Sequence, residues 1–392
     1  MKEVYILSAV RTPIGSFGGS LTSVPATKLG AEAVRGAVSK SGLAPEKIQE
    51  LFMGQVVQAN AGQAPARQVA VYGGLSNKTP CTTVNKVCAS GLKAVMFGAQ
   101  SIQLDQNHIV VAGGMENMSS IPFYLPKARY GYGYGHGELL DGLVRDGLAN
   151  VYDNQAMGCF ADATATKFEI SREDQDNFAI QSYQRTAQAW ENGLFSDEVV
   201  GVEVKDRKGH VTLVVQDEEY KNVNFEKISG LRPVFTKEGT VTAANASTIN
   251  DGAAALVLAD EDTVKNHVLK PLARIVSYAD GAHEPEWFTT APAIAAEKAL
   301  QRAGLTIDQI DYFEVNEAFA VVTLAFIKHF HLDQNKVNVK GGAVSMGHPL
   351  GCSGARILTT LCHVLQQNNG KYGMAAICNG GGGASAIIIE RY

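Results

Sequence analysis

The sequence lacks any feature that would carry it into a membrane. No apolar run reaches the ~20 residues that a bilayer span needs. "MKEVYILSAVRTPIG" passes from Met1 almost directly into a strand-like segment, so neither a secretory leader nor an Arg-rich presequence is expected. Surplus positive charge is also missing: 34 Lys and Arg face 39 Asp and Glu, a formal charge of −5. That argues against nucleic acid or an acidic membrane as a general partner. Proline is scarce, 12 residues against 40 glycines, which excludes a linker-rich chain and points to tight turns and close backbone approaches. The cysteines Cys81, Cys88, Cys159, Cys352, Cys362 and Cys378 include no CxxC pair, so neither a disulfide frame nor metal-ligand spacing is expected. Such thiols are free to do chemistry, and a cytoplasmic enzyme is the expectation.

What is present is bulk and internal repetition. A chain of 392 residues, 45% of them hydrophobic, is long enough for two or three domains. "CASGLKAVMFGAQSIQ" from Cys88 is similar to "GCSGARILTTLCHVLQ" from Gly351, with Ser90-Gly91 answering Ser353-Gly354. Each stretch opens a helix with an apolar stripe, and each leads to an apolar strand ending in glycine or polar residues, "HIVVAGGMEN" and "MAAICNGGGGAS". Upstream, "EVYILSAV" answers "LARIVSYAD", and "LAPEKIQELFMGQV" answers "LTIDQIDYFEVNEAF". The pattern predicts two similar α/β halves, 1–118 with 249–270 and 271–392, built on parallel sheets covered on both faces. The middle, 119–248, has no counterpart; it begins with "ARYGYGYGHGELLDG" and continues into a helix starting at Ser171. Long insertions on a rigid scaffold commonly carry recognition or assembly.

Four positions carry potential chemistry. Cys88 lies at a helix start, where the helix N-terminus and a neighbouring imidazole would favour a thiolate. His348 sits in a Gly-His-Pro turn, either as a turn residue or as a base. Asn316, in "EVNEAFAVV", either caps the following helix or holds a water. Cys378 ends an apolar strand before "NGGGG"; it reads as core or as a proton carrier, and the glycines as a turn or as exposed N–H donors for an oxyanion.

"VCASGLKA", "NEAFA", "GGAVSMGHPLGCSGARI" and "CNGGGGASA" resemble, in order and spacing, the signature blocks of the thiolases, and the likeness extends over nearly the whole chain. Within that family the chain looks most like the short-chain acetoacetyl-CoA thiolases. The resemblance implies a layered αβαβα core with an inserted loop domain. It also implies acetyl-CoA C-acetyltransferase activity: reversible Claisen condensation of two acetyl-CoA to acetoacetyl-CoA and CoA. A degradative 3-ketoacyl-CoA thiolase of broader chain length, and a non-catalytic acyl-CoA binder, are the alternatives. By resemblance Cys88 takes up the acyl group, His348 activates it and Cys378 moves the α-proton. Asn316 holds a water that forms one oxyanion hole with His348, and the N–H groups of Cys88 and Gly380 form the other. Coenzyme A, a substrate and product in the absence of any prosthetic group, would contact Tyr183, Asn222, Val223, Asn224, Lys227 and Ser247. Leu148, Met157, Phe235, Phe288 and Phe319 would lie near its pantetheine and acyl end. Potassium would be held by Tyr183, Ala243, Ala244, Ala246 and Val344. A homotetramer would form through the loop near 128–137. Two departures stand out: Ala156 precedes Met157 where bacterial biosynthetic thiolases often have His, and Phe288 stands where those enzymes have a methionine.

Overall fold

Every residue of Val4–Arg11 (β1) is buried, which a strand achieves only when both faces of its sheet are covered. The computed structural model describes residues 2–392. Ten strands form one mixed sheet. After β1 come Gly15–Ser16 (β2), Glu50–Gly54 (β3), Cys81–Val84 (β4), Ile109–Asn117 (β5), Asn250–Asp260 (β6), Ala273–Ala282 (β7), Tyr312–Val315 (β8), Tyr372–Asn379 (β9) and Gly383–Arg391 (β10). The spatial order is β8-β9-β10-β7-β1-β6-β5-β3-β4, with β2 on β6.

Around the β1–β7 contact this order is nearly a palindrome. β3-β5-β6-β1 on one side answers β8-β9-β10-β7 on the other, so the repeat read in the sequence is a repeat in space. The join itself is short, Val4–Ile6 against Ala273–Ile275. The expectation of parallel sheets is corrected. β3 runs parallel to β4 and β5, and β8 to β9, but the remaining neighbours are antiparallel. The unbroken apolar runs reflect coverage on both faces, which antiparallel strands share here because helices flank them on each side.

The principal helices are Ala26–Ser41 (α1), Pro65–Tyr72 (α2), Ser90–Gln103 (α3), Met157–Lys167 (α4), Arg172–Glu191 (α5), Ala291–Ala303 (α6), Ala320–Phe330 (α7) and Leu350–Asn368 (α8). Leu29 and Val34 of α1 and Val69 of α2 pack on the outer face of the first half. Ala295 and Ala296 of α6 and Phe326 of α7 do the same on the second. Between the halves, Leu92 and Val95 of α3 join Leu358 and Leu361 of α8, Leu256 and Ile387 in one apolar cluster. The layers therefore run α, β, α, β, α.

The paired Ser-Gly motifs mark where the central helices touch. A Cβ on Gly91 would stand 2.8 Å from the Ala355 nitrogen, and one on Gly354 would stand 2.5 Å from the Leu92 nitrogen. Only glycine lets the backbones approach so closely. In the inserted region α5 opens with a capping box between Ser171 and Asp174, and Tyr130 and Tyr134 stand fully in solvent. Among the described residues no helix is long and apolar enough to cross a membrane.

Candidate active site

Between the central helices and the inserted region lies a cavity of about 790 Å³ whose lining includes Cys88, His348 and Gly380. Each of these three follows a strand or short helix and enters a turn, so the scaffold fixes all of them from behind. Cys88 occupies the turn between β4 and α3. Val87, beside it, is held at φ +47°, a conformation that costs a β-branched residue about 1–3 kcal/mol. The turn is pinned against relaxing: Val87 N–H donates to Asn85 Oδ1 at 2.9 Å, and Lys86 N–H donates to Ser90 Oγ at 2.8 Å.

The backbone N–H groups of Gly380 and of Cys88 itself lie near enough to the Cys88 sulfur to favour its thiolate. Gly380 opens the turn joining β9 to β10, in which Gly381 and Gly382 take φ of +86° and +85°. A Cβ on Gly382 would fall 2.3 Å from the His283 carbonyl oxygen. The glycine run is thus both a tight turn and a donor site. The Gly380 N–H and that of Cys88, from opposite halves, are thus close to the same sulfur, where a substrate oxygen bonded beside it would also find them.

The charge state differs from the expected thiolate. Burial, with a smaller contribution from the Glu116 carboxylate, pushes the Cys88 thiol up to about 12. Burial, with the Arg356 charge second, drives His348 down to about 3. Cys88 packs against apolar clusters on two sides, and this desolvation outweighs the helix start at Ser90. The resting pair is a neutral thiol and a neutral imidazole. Around His348, the backbone N–H donates to Asn250 Oδ1 at 2.9 Å and Nδ1 meets the Ser353 hydroxyl. Its Nε2, though buried, has no protein partner.

Cys378 and Asn316 do not line the cavity. Cys378 is fully buried among Phe288, Phe319, Met157 and Phe235, four residues that do line it. Its thiol is held well above the usual range, first by burial and then by repulsion from the Cys88 sulfur when that is ionised, so the two thiols are electrostatic neighbours. Asn316 is wholly buried, and its backbone N–H donates to Ala376 O at 2.9 Å, beside Cys378. Neither atom of its side-chain amide has a protein partner, the condition in which a buried amide takes up water or ligand. Glu317 fixes this turn by accepting from Ser182 Oγ, Asn338 Nδ2 and the Val344 N–H at 2.8, 2.8 and 3.0 Å.

The other expected positions divide between two spaces. Leu148, Met157, Asn222, Phe235, Ala243, Ala246, Ser247, Phe288 and Phe319 line the main cavity. Tyr183, Val223, Asn224, Lys227 and Ala244, with Asn222 and Ala243 shared, line an adjoining recess of about 240 Å³. Val344 lines neither and packs with Ala179 and Tyr183. Sequence reasoning missed Asn250 and Ser353, which hold His348, and Glu116, which accepts the N–H groups of Gly351, Val56 and Val57. Burial pushes Glu116 up to about 7. The available signal was a lone acid ending an apolar strand.

Comparison with known proteins identifies the family. Residues 4–262 match the thiolase N-terminal domain and residues 269–391 the thiolase C-terminal domain. A probable acetyl-CoA acetyltransferase of Dictyostelium discoideum is 54% identical over 391 residues, covering 100% of this chain and 94% of that protein. The acetyl-CoA acetyltransferase of Schizosaccharomyces pombe is 54% identical over 390 residues, 99% of each chain. A mitochondrial acetyl-CoA acetyltransferase of Bos taurus is 52% identical over 392 residues, 100% of this chain and 92% of that one. The crystal structure of Acat5 thiolase from Ascaris suum in complex with coenzyme A superposes with a TM-score of 0.95 at 47% identity, covering 100% of both chains. With both domains matched and likeness running from end to end, the chain belongs to the thiolase family.

Proposed function

We propose that this chain is an acetyl-CoA C-acetyltransferase that condenses two acetyl-CoA to acetoacetyl-CoA and CoA, reversibly, through an acyl-Cys88 intermediate. One observation carries the reading: Cys88, His348 and Gly380 line one cavity, with the Gly380 and Cys88 N–H groups near the Cys88 sulfur and the Cys378 thiol within its electrostatic range. Relatives named acetyl-CoA acetyltransferase support the acetyl substrate, and the neighbour crystallised with coenzyme A supports CoA as ligand.

In the first step Cys88 attacks the acetyl-CoA carbonyl while its proton passes to His348 Nε2. The N–H groups of Cys88 and Gly380 hold the oxyanion, and CoA departs with the Cys378 proton. Cys378 is then a thiolate opposite an imidazolium, a pair with no net charge, which suits an interior that disfavours either ion alone. In the second step the Cys378 thiolate removes the α-proton of another acetyl-CoA. The enolate, held by His348 and a water on Asn316, attacks the acyl carbon. Cys88 leaves and recovers its proton from His348. Two easier steps replace one hard one, and a thioester intermediate keeps the reaction reversible.

The domain division 1–118 with 249–270, 119–248 and 271–392 is part of the proposal, supported by β6 seating between β1 and β5. CoA would lie along the lining of the main cavity and the recess described above. Potassium would sit on the carbonyls of Ala243, Ala244 and Ala246, with Tyr183 and Val344 near; no hydrogen bond among the described residues ends on those three carbonyls, and a monovalent cation takes such oxygens. Its role would be to stiffen the loop against CoA. The exposed tyrosines near 128–137 support a homotetramer built through that loop. Six free cysteines suit the cytoplasm, although any reducing compartment would serve, and relatives named as mitochondrial make cell fractionation the test. Thiolysis of acetoacetyl-CoA with and without potassium tests the activity and the cation together. Absence of thiolysis overturns the activity, and an unchanged rate overturns the potassium site.

A further inference from the structure

Lys86, two residues before Cys88, takes no part in the chemistry above, yet its side chain crosses to the other half of the molecule. The Nζ donates to Asp280 Oδ1 at 2.6 Å, to the Ala384 carbonyl at 2.8 Å and to Ser385 Oγ at 2.8 Å. All three donor positions of an ammonium are used. Ser385 Oγ donates onward to Asp280 Oδ1 at 2.7 Å, and Lys93, from the first turn of α3, meets Asp280 Oδ2 at 2.7 Å.

The landing points matter. Ala384 on β10 is the cross-strand partner of Cys378, and Ser385 that of Ile377; Ser385 is paired in turn with Asp280 on β7. The lysine therefore ties the turn carrying the first thiol to the strand residue facing the second thiol. The Cys88 turn belongs to one half and Gly380 to the other, so the two N–H groups converge only if the halves keep register. The Val87 side chain is the nearest group to a Cβ placed on Gly380, at 3.6 Å. Any slip of this turn moves Cys88 against both Gly380 and Cys378.

We propose that Lys86 is a positioning residue whose three-point clasp on β7 and β10 sets the geometry of the Cys88–Gly380 oxyanion hole and the spacing of the two thiols. The proposal rests on the acetyl-transfer reading. It differs from a purely structural ion pair in what it predicts: loss of the clasp leaves the CoA-binding surface intact and misplaces the reacting atoms.

The experiment compares Lys86→Met with wild type and Lys86→Arg in steady-state thiolysis of acetoacetyl-CoA, using the full chain. A misplacement near 1 Å at the reacting atoms is expected to lower kcat about 100-fold while KM stays within about threefold. Lys86→Arg is expected to recover roughly tenfold of that loss, because two of the three bonds can be remade. A kcat within threefold of wild type, or a loss confined to KM or to the thermal midpoint, overturns the inference. Should Lys86→Met fail to fold, Ser385→Ala removes one acceptor only; kcat is expected to fall about fivefold at constant KM, and an unchanged kcat overturns the inference. Wild type lacking thiolysis would overturn the activity itself, an outcome distinct from an active wild type matched by its variants.

Discussion

The Ser353 hydroxyl lies 2.6 Å from His348 Nδ1 and 3.0 Å from the Pro349 carbonyl oxygen, so its single proton serves one of the two. A hydroxyl that has given its proton to a carbonyl can only accept from the ring. When the proton goes to the carbonyl, Nδ1 carries the ring hydrogen and Nε2 presents a bare lone pair. The proposed mechanism needs this tautomer to receive the Cys88 proton, and Ser353, within the first turn of α8, is placed to select it. Ser353→Ala removes the selection and leaves the ring free to take the other form. Acetylation of Cys88 by acetyl-CoA, followed by intact mass in rapid-quench samples, is expected to slow about 10- to 100-fold. Acetylation at the wild-type rate would show that the tautomer is fixed by something other than Ser353.

The proposed mechanism divides the reaction between the two thiols, which gives a second prediction. Cys88→Ala is expected to abolish both exchange of CoA into acetyl-CoA and condensation. Cys378→Ala is expected to retain acetyl uptake on Cys88, slowed because CoA leaves without the Cys378 proton, while condensation falls at least about 1,000-fold, because no other group takes the α-proton. Near-full condensation by either variant would dismantle the assignment.

How far the sequence reaches can be judged from particular residues. The repeat of Ser90-Gly91 in Ser353-Gly354 was legible because two helix backbones in contact demand glycine at the crossing. Strand direction was not, because residues such as Val110 and Ile387 are covered on both faces whether their neighbours run parallel or antiparallel. Cys88 and His348 stood out by type and local turn. Lys86 and Ser353 did not, although both lie inside the same short motifs; their partners are 194 and 5 residues away and only folding gives them meaning. The charge state was the least legible feature, since desolvation of Cys88 is a property of the packed interior.

The depressed His348 pKa has a consequence for stability whose sign follows from proton counting. Its ordinary value of 6.5 falls to about 3 in the folded chain. Between those values the unfolded chain holds a proton that the folded chain does not, so this group lowers stability progressively as the pH falls from 6.5 toward 3. Glu116 acts in the opposite sense. Its carboxyl, raised from 4.5 to about 7, binds a proton in the folded chain over that interval, and its contribution is lost as the pH rises through it. His348→Gln removes the first effect and leaves the second. Denaturant titrations at pH 6 and pH 5 are expected to show wild type losing about 1 kcal/mol more than the variant on acidification. Equal losses would mean that the imidazole is not held neutral by burial.

The wall of the acyl pocket yields the last prediction. Phe288 is only 3% exposed, lines the cavity and belongs to the same apolar cluster as Cys378 and Phe319. On the proposed reading this ring limits the acyl group carried on Cys88, and a smaller side chain opens room without touching the polar groups that carry the reaction. Phe288→Val is therefore expected to shift preference from acetoacetyl-CoA toward 3-ketohexanoyl-CoA. Each methylene accommodated is worth about 1–3 kcal/mol in a fitted apolar pocket, so the ratio of the two kcat/KM values is expected to move by at least about tenfold. The cavity costs the fold about 2–4 kcal/mol, and assays are best run well below the variant's thermal midpoint. If the ratio stays where it was while acetoacetyl-CoA turnover falls, Phe288 shapes the packing around Cys378 and some other surface sets the length of the acyl chain.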